Sequence, residues 1–327
     1  MNSKGISNFL CAQDMSVNGP QSLKDDREFE AFCDLYIDRE NTLLLIIQLN
    51  QLLKCVQRHR GMSLGMLSGN ANFSEGFSSL QIELERRLAT IEVFAKKMNG
   101  LISEKGKESL HLAWSTVGHN WQGDNLDDNF ELHSHFVQQL LAMIYDLAKK
   151  LQQPLALNDL VQGADEPEGE FCGAFSQPRL FKQIEILNFV SKHLLEMIEN
   201  VAKIRGLASY AAAVGSASAL DIRKLRFLLS STRSMHEKIL KLSERLELSV
   251  KGEMHQIQSI KSVELKLLFL LNAVEGDVLT EGPIAAEPQQ LFGLATDIIN
   301  IYWTVVNEGF SLVRLWHNND LDAWCRL

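Results

Sequence analysis

The chain has 327 residues, 46% hydrophobic and 22% charged, with a formal net charge of −9. That length allows one large domain or two ordinary ones, and the balance of residue types is that expected of a soluble globular protein. The acidic total disfavours general nucleic-acid binding, and no apolar run approaches the ~18 residues of a membrane span.

The opening stretch, "MNSKGISNFLCAQDMS", has neither a long apolar segment nor a cleavage-like end, so no signal peptide is expected. Residues 1–27 read as an N-terminal extension. Five cysteines (Cys11, Cys33, Cys55, Cys172 and Cys325) are scattered without metal-type spacing, which fits reduced thiols in a cytoplasm.

The prolines (Pro20, Pro154, Pro167, Pro178, Pro283 and Pro288) leave 21–153 and 179–282 free of this helix breaker. Those stretches are rich in Leu, Glu, Lys, Gln and Ala and lack alternating β-branched runs. An all-α fold follows, with eight helices near 28–68, 75–99, 103–119, 128–152, 178–214, 219–250, 253–275 and 288–318. The acidic, Gly- and Pro-containing segment 153–177 reads as a connector. It divides the region 28–318 into halves of four helices, 28–152 and 178–318, expected to form two packed up-down four-helix bundles. Residues 319–327 would be a C-terminal tail.

Late in the first helix stands "VQRHRGMS" (56–63), and late in the fifth stands "VAKIRGLA" (201–208). Val, Arg and Gly coincide, and a basic residue precedes each arginine by two, a modest sign of an internal repeat. Helical spacing puts Val56, Arg60, Ser63 and Leu67 on one face, and Val201, Arg205, Ala208 and Ala212 on another. An arginine on an apolar face needs an anionic partner or must snorkel. One reading is a carboxylate from a neighbouring helix. The other is that both arginines face one planar oxyanion, which suits the guanidinium fork.

Three segments, "LLKCVQRHRGMSLGMLSG" (52–69), "LLEMIENVAKIRGLAS" (194–209) and "AEPQQLFGLATDIINIYW" (286–303), together resemble the NIT domain, a bacterial nitrate- and nitrite-sensing module. The resemblance implies two four-helix bundles with an oxyanion held between them by arginines, here Arg60 and Arg205. His59, standing where family members carry a further arginine, and Ser63, on the Arg60 face, are candidate secondary ligand contacts. The family's other functional arginine has no counterpart in 128–152. The function implied is a non-enzymatic cytoplasmic sensor of nitrate or nitrite, without cofactor or metal. Only "LVRLWHNNDLDAWCRL" (312–327) follows the last matched helix, so the output is expected on a separate signalling protein or through self-association.

Other constellations carry less. "ESLH" supplies a single Glu-x-x-His, Glu108 to His111, and His133 and His135 point to different faces, so no metal site is expected. The basic run "RKLRF" (223–227) reads as a solvated helix face. Trp303, Trp316 and Trp324 fit either a core or an aromatic contact for a partner, and the end of the last helix with its tail is the expected partner surface.

Overall fold

The computed structural model of the chain describes residues 22–98, 100–152, 179–280 and 282–324, with side chains from 30 to 322. Among these residues the fold is all-helical, without strands. Helix α1 is Ser22–Leu67, α2 Phe77–Lys97, α3 Glu104–Gly118 and α4 Leu126–Leu151. Helix α5 runs as Arg179–Asn188, one π-turn at Phe189–His193, then Leu194–Val214. Then come α6 Ala219–Val250, α7 Ser259–Ala273, and α8 Pro288–Trp324. The connector 153–177 lies outside the described residues.

Local chemistry accounts for the boundaries. Ser103 and Asn125 each accept an N–H from the first turn of α3 and α4, and Ser218 forms a reciprocal capping box with Asp221 at α6. Pro288 opens α8, where its missing N–H costs nothing. At the far end of α4, the Leu151 carbonyl accepts from Arg39 Nη2 (2.9 Å) and Gln183 Nε2 (3.0 Å), which satisfies an acceptor the helix itself leaves open.

Helix α1 packs along α4 and α2, and α3 leans on α2 and α4. In the second half, α5 packs along α8 and α6, and α7 touches both α6 and α8. The halves meet chiefly where α1 crosses the Leu194–Val214 part of α5, with α8 also touching α1. Both Arg-Gly glycines serve this crossing. A Cβ on Gly61 would stand 2.9 Å from the Phe292 ring, and one on Gly206 would stand 3.0 Å from Leu64 Cδ1. One apolar core runs through both halves.

The structure departs from the expected map at three places. Helix α7 starts at Ser259 rather than near 253, because Lys251 and Gly252 take left-handed conformations that end α6 (φ 48° and 84°). The Glu308 carboxylate then accepts from the His255 and Gln256 N–H groups, holding a single 3-10 turn there. Helix α1 already begins at Ser22, within the expected extension. Helix α8 does not end near 318 but continues to Trp324, since Asn318 accepts from Tyr36 Oη (2.9 Å) and Asp320 pairs with Arg179 (2.7 Å).

The tryptophans resolve in the same region. Trp303 and Trp316 belong to the core, and Trp316 Nε1 donates to Glu253 at 2.9 Å. Neither presents an exposed aromatic face to a partner, so that part of the expectation for the C-terminal end is corrected. The Trp324 side chain lies outside what the structure describes.

Candidate functional site

Arg60 comes from the last turns of α1, where an apolar face on both sides carries it into the junction with α5. It has no solvent exposure, and Glu199 on α5 is 2% exposed. Their forks meet in parallel: Arg60 Nη1 donates to Glu199 Oε1 at 2.7 Å and Nη2 to Oε2 at 3.0 Å. Gln57 Nε2 also donates to Oε2 (2.9 Å), and Lys203 Nζ stands 3.7 Å from Oε1. Of the two readings of this arginine, the arrangement is the carboxylate-paired one. Its fork is filled from within the chain, so Arg60 and Arg205 do not turn together toward one shared opening.

Arg205 is placed differently. It is 4% exposed, yet no carboxylate among the described residues lies within ion-pair distance. Nη1 donates to Thr296 Oγ1 and Nη2 to the Gln57 carbonyl, both at 3.0 Å, and its Nε has no partner. The guanidinium lies 4.7 Å from the Phe292 ring centroid, a favourable cation–π placement. Burial, and then the neighbouring Arg60, push its pKa down to about 9. It therefore remains a cation at neutral pH. Two guanidinium groups are buried at this junction beside one buried carboxylate.

The two arginines sit in equivalent sockets. Arg60 Nη1 donates to Ser134 Oγ on α4 (3.0 Å) and lies 5.5 Å from the Phe130 ring. Arg205 does the same with Thr296 and Phe292 on α8. Each hydroxyl in turn donates to the carbonyl of that same phenylalanine, Ser134 to Phe130 and Thr296 to Phe292, both at 2.7 Å. The sequence carries the match as Phe-x-Leu-x-Ser in 130–134 and Phe-x-Leu-x-Thr in 292–296. This second echo, on the fourth helix of each half, was available to sequence reading but too short to stand out alone. In the register that aligns Arg60 with Arg205, Glu199 falls opposite Lys54. That difference leaves Arg60 with a carboxylate partner and Arg205 without one among the described residues.

His59 and Ser63 turn away from Arg205, into the first half. Ser63 Oγ is 2.8 Å from Asn129 Oδ1 and 3.1 Å from the Arg60 carbonyl. His133 Nδ1 lies 2.7 Å from the Asn129 carbonyl, so it must carry the proton there. His133 Nε2 is then an acceptor, and the 2.7 Å contact makes His59 Nδ1 its donor. His59 Nε2 is left bare among Phe77, Trp114 and Trp121. Burial pushes the His59 pKa down to about 4, and burial, then His59 and Arg60, hold His133 well below the usual imidazole range. The equivalent layer of the second half, Ile204 and Ala295 with Ala208 and Leu291, is apolar.

The remaining sequence candidates separate. His111 pairs with Glu92 on α2, His135 is exposed, and no group of three or more His, Cys, Asp or Glu among the described residues could hold a metal ion. In "RKLRF", Arg223, Arg226 and Phe227 are exposed, while Lys224 reaches α4 and bridges Asp127 (2.9 Å) and Glu131 (2.8 Å). No described helix is long and apolar enough to cross a membrane.

Among the described residues the fold is all-helical, and its two halves meet across buried arginines. Compared with protein-family models, curated proteins and solved structures, the chain matches none of them.

Proposed function

We propose that the protein is a non-enzymatic sensor that binds nitrate or nitrite where α1, α5 and α8 meet, and relays occupancy to a separate partner or a second copy. The observation that carries this reading is the buried charge imbalance: Arg205 is a desolvated cation with hydrogen-bond partners but no carboxylate among the described residues. A buried uncompensated charge is costly, and a small planar oxyanion is the ligand that would relieve it through the guanidinium fork. The motif resemblance described above points the same way. The matched sockets of Arg60 and Arg205 and the helix contacts within each half support two up-down four-helix bundles as the architecture. An anion at their junction would draw α1 and α5 together and bias their relative arrangement. A cytoplasmic location fits this role.

A ligand at 100 times its dissociation constant stabilises the folded state by about 2.7 kcal/mol. Melting is therefore expected to rise by a few degrees in nitrate or nitrite, and not in chloride at equal ionic strength. Arg205→Ala should remove that difference, and Arg205→Lys should restore it poorly, because an ammonium is a point charge rather than a planar fork. An equal response to all these salts would sink the sensor reading.

A second reading, a helical interaction scaffold with structurally paired arginines, is favoured by the closed Arg60–Glu199 pair. It requires wild-type melting to be indifferent to the choice of anion.

A further inference from the structure

We infer that Glu199 is a resident ligand: its carboxylate fills a planar-oxyanion site built by Arg60, Gln57 and Lys203, which a free carboxylate- or nitrate-sized anion can enter once that side chain is withdrawn. Every contact on the carboxylate comes from a donor suited to any trigonal oxyanion. Arg60 supplies two parallel N–H bonds, Gln57 an amide N–H, and Lys203 an ammonium within 4 Å.

Three observations separate this from an ordinary buried ion pair. First, the guanidinium is held independently of Glu199. Ser134 accepts from Nη1 and is itself tied to the Phe130 carbonyl, while the Phe130 ring lies beside the Arg60 guanidinium. Removing the carboxylate thus leaves the donors aimed at the space it occupied. Second, a socket of this kind holds a buried guanidinium without a carboxylate. In the equivalent socket Arg205 is buried on Thr296 and a backbone carbonyl alone, and the residue matching Glu199 is Lys54. Lys54 instead lies over the Trp303 ring of α8, 4.3 Å from its centroid. Third, the pair is buried, at 0% and 2% exposure, out of reach of bulk solvent. The ligand would be a small planar oxyanion such as formate or nitrate, which takes both parallel bonds and matches the space a carboxylate leaves.

In the anion-sensing reading, on which the regulatory meaning of this arrangement rests, Glu199 is the occupant that holds the first socket shut while Arg205 stays available. Displacing it would free one of the ties between the two halves. The chemistry of the socket is independent of that reading.

The test is chemical rescue of the full chain. Glu199→Ala opens carboxylate-sized space beside Arg60, whereas Glu199→Gln keeps the space filled without the charge. Glu199→Ala should melt well below wild type and regain several degrees, saturably, in formate or nitrate, but not in chloride at equal ionic strength. Beyond any shift wild type itself shows in the same salt, Glu199→Gln should gain nothing, and Arg60→Ala combined with Glu199→Ala should lose the extra gain. If Glu199→Ala does not fold unaided, the folded yield on refolding in formate against chloride reads the same difference. Formate and nitrate performing no better than chloride on Glu199→Ala would overturn the inference, even if wild type responds to nitrate. Rescue without any wild-type response would uphold it and remove the sensor reading.

Discussion

Arg60→Ala is expected to cost about 3–5 kcal/mol, the range for removing one partner of a buried ion pair. That is a large share of the ~5–15 kcal/mol that holds a typical domain together. The loss arises less from the missing bond than from what is left behind. Glu199, 2% exposed, would be left buried with only Gln57 and the more distant Lys203 as partners. Replacing both partners by apolar residues of similar volume, Arg60→Met with Glu199→Leu, should cost far less, since neither member is then stranded. Urea unfolding of wild type, both single variants and the double variant gives the coupling directly. An unfolding free energy for Arg60→Ala within about 1 kcal/mol of wild type would mean that the pair is hydrated rather than sealed.

Acid should weaken the fold well before carboxylates dominate. His59 is held at about 4 and His133 well below the usual range, while both titrate near ~6.5 in an unfolded chain. As pH falls through ~6.5 the unfolded chain takes up protons that the native one refuses, so stability drops. The His59 share of that loss is complete once pH has passed about 4. At about 1.4 kcal/mol per pKa unit, His59 alone accounts for roughly 3 kcal/mol. His193 and His317, each pushed down to about 4 by burial, and His236, also lowered by burial, act in the same direction. Asp320, raised by burial, opposes them, because it holds its proton more firmly in the native state. Unfolding free energies measured from pH 7.5 to 4 should therefore fall steadily. In His59→Leu with His133→Leu the slope should be shallower. A flat profile in wild type would show that these imidazoles reach solvent.

Much of the architecture is written locally, and that part was legible. Proline spacing and the long runs of helix formers mark eight helices, and the Val-x-x-x-Arg-Gly echo marks where α1 and α5 cross. The partner of Arg60 was not legible. Glu199 lies 139 residues away, and nothing near it in sequence distinguishes it from a surface glutamate. Only the close packing of α1 on α5, where a Cβ at Gly61 or Gly206 would be crowded, brings the two forks face to face. His59 shows the same limit. Its helical position places it beside Arg60, but its ring turns toward His133 on α4, a direction decided by tertiary packing. Phe130 to Ser134 did carry a readable signal, because Phe292 to Thr296 repeats it. The second copy lies within the segment 286–303.

The ties between the halves also bear on the order of assembly. Arg60 and Glu199 are separated by 139 residues, Arg205 and the Gln57 carbonyl by 148, and Tyr36 and Asn318 by 282. Helix hairpins within each half need far less chain closure and can gather first, whereas these cross-links become worthwhile only after both halves have largely formed. Contacts made after the rate-limiting barrier leave the folding rate nearly untouched and act as brakes on unfolding. The arginine junction is in this sense a kinetic fastener, and loosening it would shorten the lifetime of the native state more than it would slow its arrival.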